Sequence, residues 1–120
     1  MKIRIASPGT ELEVTLEDTA AARDFASLLP LELEIEDHAS TEKIAYLPRR
    51  LSLEGAPAGI TPRAGDVCYY APWGNIALFY RAFDYSPGLV KLGALDDGPE
   101  RMARLGHGAA LFERVPSSTA

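Results

Sequence analysis

Cysteine is nearly missing from this chain of 120 residues, which contains Cys68 alone. A single thiol cannot form an internal disulfide, and a single thiolate cannot build a cysteine-based zinc site. The two histidines, His38 and His107, stand apart and show no spacing typical of metal ligands. The glycine-rich spacings that hold nucleotide phosphates are also missing. The sequence therefore predicts neither a metal site nor a cofactor, and stability is expected to come from packing.

Long apolar runs and basic clusters are missing as well. No run approaches the ~20 apolar residues that a helix needs to cross a bilayer, and the residues after Met1 do not resemble a signal peptide. We therefore expect a cytoplasmic protein with no membrane partner. The longest basic cluster is Arg49-Arg50, and the formal net charge is -5. This balance argues against nucleic acid as a partner, because phosphate backbones repel an acidic surface.

The composition that is present fits one globular domain. The chain is 47% hydrophobic and 24% charged, as in ordinary globular proteins, and its length allows a single buried core. No internal repeat and no linker divide it. We expect one domain over residues 1–115, followed by a disordered tail over residues 116–120.

Alternating apolar and polar residues predict β-strands along much of the chain. The alternation is clear at residues 3–5, 12–16 and 31–35, and the glutamates in and beside the last two carry much of the negative charge on solvated faces. β-Branched and aromatic residues suit a pleated surface. Together with further apolar runs, they indicate strands at residues 67–70, 76–80, 89–95 and 110–115.

Two short helices are predicted between the strands. Apolar residues from Ala22 onward line one helical face, with Asp18 as the N-cap and Pro30 as the stop. A second helix is expected over residues 99–105, with a proline in its first turn. Residues 37–65 are broken by prolines and glycines, and long irregular stretches are often functional. Seven or eight strands and two helices favour a mainly β fold whose antiparallel sheet closes into a barrel.

The order of these elements resembles cyclophilins in three stretches. The first is a Glu-Leu strand followed by a helix that carries Phe25. The second is a glycine-led strand, a loop and an aromatic strand, and the third is a glycine-containing strand followed by a helix. These stretches cover residues 9–28, 65–80 and 90–102.

Several short motifs, taken as a set, also resemble the small bacterial cyclophilin-like proteins, a family without a settled activity. The resemblance implies a closed eight-stranded antiparallel barrel capped by two helices. It also implies a groove on the outside of the barrel, where cyclophilins hold an Xaa-Pro peptide and twist its amide bond. The motifs are Leu29-Pro30, Glu42-Lys43-Ile44, Leu47-Pro48, Gly65-Asp66, Tyr69-Tyr70-Ala71-Pro72-Trp73-Gly74-Asn75 and Phe79-Tyr80.

Prolyl isomerisation needs an apolar pocket for the proline ring and a fixed donor, usually a guanidinium, that stabilises the twisted amide. Cyclophilins carry this guanidinium in a Phe-His-Arg strand, with a Phe-Met-x-Gln strand after it, and neither motif occurs here. The guanidinium groups in the corresponding stretch belong to Arg49, Arg50 and Arg63. We therefore expect weak isomerase activity or none, with one of these arginines beside the groove.

Phe79 is a candidate for the wall of the groove. Alternation along a barrel strand places Phe79 and Ala77 on one face, and Ile76, Leu78 and Tyr80 on the other. The larger aliphatic set is expected to fill the barrel, which leaves Phe79 facing outward. The alternative is that Phe79 packs beneath a helix.

A second aromatic cluster surrounds the turn predicted at residues 71–75. Tyr70 and Trp73 are candidate ligand contacts, because aromatic side chains on a stiff turn bury a large area at a small entropic cost. Trp73 could instead cover the open end of the barrel. Asn75 is a further groove candidate, or it simply adopts a left-handed turn conformation.

Glu42 and Lys43 are adjacent, so their side chains point to opposite sides in a strand. Glu42 could enter the groove as a general acid or base, with His38 as the nearest titratable residue in the sequence. Arg50 could hold an anion beside it. The alternative is a solvated turn.

Cys68 has no evident base nearby and is expected to be a buried apolar residue rather than a nucleophile.

Three functions remain open on the sequence. The first is a domain that binds a peptide or a protein through Phe79, Trp73, Tyr70 and one arginine. The second is an enzyme of unknown reaction that acts on a small anionic molecule, with Glu42 and Arg50 as its catalytic candidates. The third is a structural domain whose aromatic surface forms an oligomer interface.

Overall fold

The computed structural model describes residues 1–116, so residues 117–120 of the predicted tail lie outside it. Strands and helices follow the predicted order. The structure adds three strands to the seven placed on the sequence, at residues 42–46, 59–60 and 86–87, and the first two lie in the stretch that was expected to be irregular. The elements are β1 (Lys2–Ser7), β2 (Thr10–Leu16), α1 (Ala20–Ser27), β3 (Leu31–His38), β4 (Glu42–Tyr46), β5 (Gly59–Ile60), β6 (Asp66–Tyr70), β7 (Asn75–Phe79), β8 (Ser86–Pro87), β9 (Leu89–Leu95), α2 (Glu100–Ala103) and β10 (Gly108–Arg114).

Eight strands close into a barrel in the order β1-β10-β3-β4-β7-β6-β9-β2, and every neighbouring pair is antiparallel. The predicted mainly β fold with an eight-stranded antiparallel barrel is therefore confirmed. The short strands β5 and β8 pair only with each other. They tie the segment before β6 to the segment before β9.

The barrel interior contains the larger aliphatic side chains, as the alternation predicts. Ile76 and Leu78 of β7 are fully buried in this main core. Phe25 of α1 packs edge-on against Phe112 of β10, with ring centroids 6.3 Å apart. Met102 of α2 is also fully buried there. Both helices thus contribute apolar side chains to the same core as the strands.

The N-cap of α1 is Thr19, and the predicted cap at Asp18 is wrong. Thr19 has an extended backbone, and its hydroxyl accepts a hydrogen bond from the Ala22 amide at 3.2 Å. This satisfies one of the free amides in the first turn. The Asp18 carboxylate instead pairs with Arg23 on the surface. The cap is one residue later because the helix begins at Ala20.

A second, smaller apolar cluster lies on the outer face of the barrel. Its buried members are Ile44, Cys68, Ala77, Phe79 and Leu89, from four adjacent strands. Ala77 and Phe79 therefore face outward, opposite to Ile76 and Leu78, as the period of two predicts. Because Ile60 of β5 and Tyr70 of β6 pack against this cluster, the outer face is not simply solvated. It forms the base of the site described below.

The irregular segment after β4 is anchored to α1 by Asp24. Arg49 donates to both carboxylate oxygens, at 2.8 Å and 3.0 Å, and the Ser52 amide donates at 2.7 Å. These hydrogen bonds, with the Arg49 pair as the largest cause, lower the pKa of Asp24 to about 2. Asp24 therefore binds the segment in its ionised form.

Replacing Asp24 with Ala should lower the free energy of unfolding by about 1 to 2 kcal/mol near pH 6, because charge-assisted hydrogen bonds are lost from a partly solvated site. A carboxyl with a lowered pKa stabilises the fold above its ordinary pKa, and the effect disappears as pH falls through about 2. Urea titrations across this range measure the difference. Asp18→Ala, at an exposed ion pair, is the control, and a loss at Asp24 that does not depend on pH would contradict the assignment.

Candidate functional site

A pocket of about 240 Å³ opens on the outer face of the barrel. We call it the outer pocket. It lies between the β3–β4 hairpin, the β6–β7 turn and the segment that leads into β9, and most of its lining is apolar. The residues used below are His38, Glu42, Tyr70, Trp73, Phe79 and Phe83.

The base of the outer pocket is formed by Phe79 and Leu89. Both belong to the outer cluster, and Phe79 is only 2% exposed. Cys68 lies in the same cluster and is fully buried. Burial raises the pKa of its thiol far above the ordinary value, and the predicted burial of Cys68 among apolar residues is confirmed.

The wall of the outer pocket carries exposed aromatic rings. Trp73 is 48% exposed, and its ring packs edge-on against those of His38 and Tyr70, each with centroids 5.4 Å apart. The turn beneath it is fixed by amides of Trp73 and Gly74, which donate to the Tyr70 carbonyl oxygen at 3.2 Å and 2.9 Å. Trp73 therefore lies beside the outer pocket and does not cover an end of the barrel.

The β3–β4 hairpin brings Glu42 into the outer pocket. In the strand register Glu42 lies opposite His38 on β3 and Phe79 on β7. Burial raises the pKa of Glu42, while the nearby His38 acts in the opposite direction. Its carboxylate makes no hydrogen bond or ion pair with any residue in the described range. It is thus an acidic group without a partner in an apolar surrounding.

Lys43 points to the other side of the strand, as predicted for neighbours. It is 7% exposed, and its ammonium lies 3.3 Å from a carboxylate oxygen of Asp37. The Tyr80 hydroxyl donates to the same Asp37 carboxylate at 2.6 Å. Together these contacts lower the pKa of Asp37, with the Tyr80 hydrogen bond as the largest cause. The nearest lysine in sequence is therefore not available to Glu42.

The turn of the β3–β4 hairpin is itself unusual. Ala39 and Ser40 both have left-handed backbones, with φ of 54° and 51°, and the Thr41 amide donates to the His38 carbonyl oxygen at 3.1 Å. Such tight turns match the twist of two antiparallel strands, although the conformation is unfavourable for alanine. The Asp37 carboxylate accepts from the Ser40 amide at 3.2 Å. This fixes the edge from which Glu42 projects.

Comparison with known proteins agrees with this architecture. A family model described as the cyclophilin-like family matches residues 5–112. The chain belongs to this family. The solution structure of a hypothetical protein from Archaeoglobus fulgidus has a similar fold, with a TM-score of 0.75 and 20% sequence identity over 96% of this chain and 95% of that chain. This likeness concerns the fold alone. None of the curated proteins matches the chain.

The outer pocket of this cyclophilin-like protein contains no guanidinium group among the residues described. Arg49 is bound to Asp24 on α1. The Arg50 guanidinium donates to the Ala71 carbonyl oxygen at 2.6 Å. Arg63 is exposed, and none of the three lines the pocket. The structure therefore does not bring any of these three arginines into the pocket lining beside Glu42.

Asn75 also lies outside the outer pocket. It is the first residue of β7 and is 1% exposed. The left-handed residue of the turn is Gly74, with φ of 68°, so the turn conformation predicted for Asn75 is wrong. The side-chain amide of Asn75 has no hydrogen-bond partner within residues 1–116.

The structure thus brings together four sequence candidates, Phe79, Trp73, Tyr70 and Glu42, with His38 beside them. Sequence reasoning missed the contribution of the segment before β9, above all Phe83, which is 50% exposed. The available signal was an aromatic residue in a segment between two predicted strands that also carries Pro87 and Gly88.

Residues 1–116 contain neither a metal-ligand cluster nor a membrane-spanning helix. No group of three or more His, Cys, Asp or Glu side chains is arranged to hold a metal ion there. No helix there has the length and the apolar character needed to cross a bilayer.

Proposed function

We propose that this cyclophilin-like domain binds peptides, with one side chain of the peptide seated in the outer pocket. The observation that carries the proposal is the pocket itself: an apolar base with half-exposed aromatic rings beside it. Rigid aromatic anchors of this kind dominate the energy of recognition. The pocket volume of about 240 Å³ is below that of a site for a drug-sized ligand and suits one side chain.

Prolyl isomerase activity by the guanidinium route is not part of the proposal. Catalysis requires groups that stabilise the twisted amide more than the planar one. Arg49 and Arg50 bind other groups, and Arg63 does not line the outer pocket. The alternative of an enzyme for a small anion is also disfavoured, because the pocket offers a carboxylate and no lysine or arginine in the described chain.

Binding is tested by titrating labelled protein with capped Ala-Xaa-Ala tripeptides and following amide and indole NMR signals. We expect shifts at Trp73, His38 and Phe83, and Trp73→Ala should weaken binding about tenfold or more, because an aromatic anchor is removed. Tyr46→Ala is the matched control: Tyr46 is similarly exposed, at 51%, and does not line the pocket. Exchange spectroscopy on Ala-Xaa-Pro peptides should show no acceleration of isomerisation.

Three outcomes would contradict this function. One is the absence of shifts at the outer pocket with every peptide. Another is prolyl isomerisation that is lost in Arg49→Ala, Arg50→Ala or Arg63→Ala, which would restore the guanidinium route. The third is a molecular mass that rises with concentration and that Trp73→Ala returns to the monomer value, which would make the aromatic surface an oligomer interface.

A further inference from the structure

The outer pocket is electrostatically one-sided. Glu42 supplies a carboxylate, and the ionisable groups that face it are His38 from β3 and Tyr70 from β6. The β7 residue opposite Glu42 is Phe79, and the segment before β9 contributes Phe83 and Ser86. No lysine or arginine from any of these elements lines the described pocket. A negative charge therefore lies among apolar groups with no fixed positive partner.

An occupant without charge would leave this carboxylate desolvated and unpaired, which is costly. An anionic occupant would add repulsion to that cost. A cation would pair with the carboxylate, and the net charge of -5 favours its approach from a distance. Charge complementarity therefore favours a cationic occupant over a neutral or an anionic one.

The aromatic composition points to the same occupant. Tyr70, Trp73, Phe79 and Phe83 line the same pocket as the Glu42 carboxylate, and the face of an aromatic ring attracts ammonium groups through its quadrupole. The apolar base contacts a hydrocarbon stem favourably, as long cationic side chains bury their methylenes while the charged end finds polar partners. The combination of rings, carboxylate and apolar base is complementary to an alkylammonium group.

We propose that the outer pocket recognises the alkylammonium group of a lysine side chain, an inference that rests on the proposed peptide-binding function. Glu42 is the counter-ion of the ammonium group, and the aromatic rings contact the hydrocarbon stem. The same chemistry occurs in free alkylamines, so a free amine serves as a separate arm of the test. Glu42 then acts as a specificity determinant and not as a general acid.

The test compares capped Ala-Lys-Ala with the neutral isostere Ala-norleucine-Ala and with Ala-Glu-Ala, and adds n-butylammonium. We expect the lysine peptide to bind about tenfold more tightly than the norleucine peptide, with no detectable binding of the glutamate peptide. In Glu42→Gln, the ratio of the affinities for the lysine and norleucine peptides should fall to about one. Glu34→Gln, on the exposed face of β3, should leave it unchanged.

The possible outcomes distinguish a failure of lysine recognition from a failure of the proposed peptide binding. Equal binding of the lysine and norleucine peptides would overturn cation recognition and leave peptide binding intact. Binding of n-butylammonium at the pocket without binding of any peptide would support the cation site and overturn the peptide function. A lysine preference that persists in Glu42→Gln would overturn the role of Glu42.

The melting temperature of Glu42→Gln shows whether this variant is folded. Because burial raises the pKa of Glu42, ionised Glu42 destabilises the fold above that pKa, and the cost disappears as pH falls towards the unfolded value of about 4.3. Glu42→Gln should therefore melt at a higher temperature than the wild type at pH 7, and the gain should shrink as pH is lowered. A lower melting temperature at pH 7 would show that the carboxylate has a structural partner and would overturn its assignment to a ligand.

Discussion

Gly93→Ala is expected to lower the free energy of unfolding by about 2 to 3 kcal/mol, because it forces apart the two strands that close the barrel. Gly93 of β9 pairs with Leu16 of β2. A Cβ at Gly93 would lie 2.3 Å from the carbonyl oxygen of Thr15 and 2.9 Å from the Cα of Leu16. Both are backbone atoms, so a change of rotamer cannot relieve the contact. Urea denaturation followed by tryptophan fluorescence and by circular dichroism measures the loss.

The matched control is Gly106→Ala in the loop before β10. A Cβ there meets no atom within 4 Å, and the backbone is not left-handed. We expect this variant to remain within about 0.5 kcal/mol of the wild type. If Gly93→Ala were equally neutral, β2 and β9 would not approach in the register described, and the closure of the barrel would need revision.

The closed barrel illustrates what the sequence could predict. Strand positions follow from a local period of two, which is why the outward direction of Phe79 and the inward direction of Leu78 were predictable. The resemblance to cyclophilins then implied a closed barrel of eight strands, but not the order in which the strands pair. That order places β3 beside β10, which are distant in sequence, and no local pattern encodes such a pair.

The irregular segment between β4 and β6 shows where prediction fails. Half of α1 and the two strands of the β3–β4 hairpin separate Asp24 from Arg49 in the sequence. Neither residue carries a local sign that the other is its partner. The fold alone brings them within 2.8 Å. An arginine that sequence reasoning placed beside the groove is thus part of an anchor on α1. Charged residues in irregular segments gain their roles from tertiary contacts rather than from spacing.

The outer pocket was predicted in part for the same reason. Phe79 and Trp73 lie on one hairpin whose aromatic residues are evident in the sequence. Glu42 and His38 come from a second hairpin, and Phe83 comes from a third segment. The sequence indicated these residue types, but it could not show that the arginines of the irregular segment bind outside the pocket lining. The small anionic ligand that was one of the open alternatives depended on an arginine beside Glu42, and the described pocket lining contains none.

Phe79→Ala is expected to have the largest effect on stability among the pocket residues, a loss of about 3 to 4 kcal/mol in the free energy of unfolding. Phe79 is 2% exposed and belongs to the outer cluster with Ile44, Cys68 and Leu89. Its removal leaves a cavity between the barrel wall and the side chains that pack against it. The urea denaturation midpoint and slope at pH 7 measure this loss.

Trp73→Ala provides the contrast, because the same pocket is altered at its exposed wall. Half of the Trp73 side chain is already in water, so its removal should cost about 1 kcal/mol or less, while peptide affinity falls about tenfold or more. We therefore expect Phe79→Ala to lower mainly the stability of the fold and Trp73→Ala to lower mainly the affinity for peptides. Circular dichroism follows unfolding in both variants, since Trp73 is the sole tryptophan. A Phe79→Ala variant as stable as the wild type would mean that the outer cluster is open to solvent, and the outer pocket would then lack the rigid base on which selective binding depends.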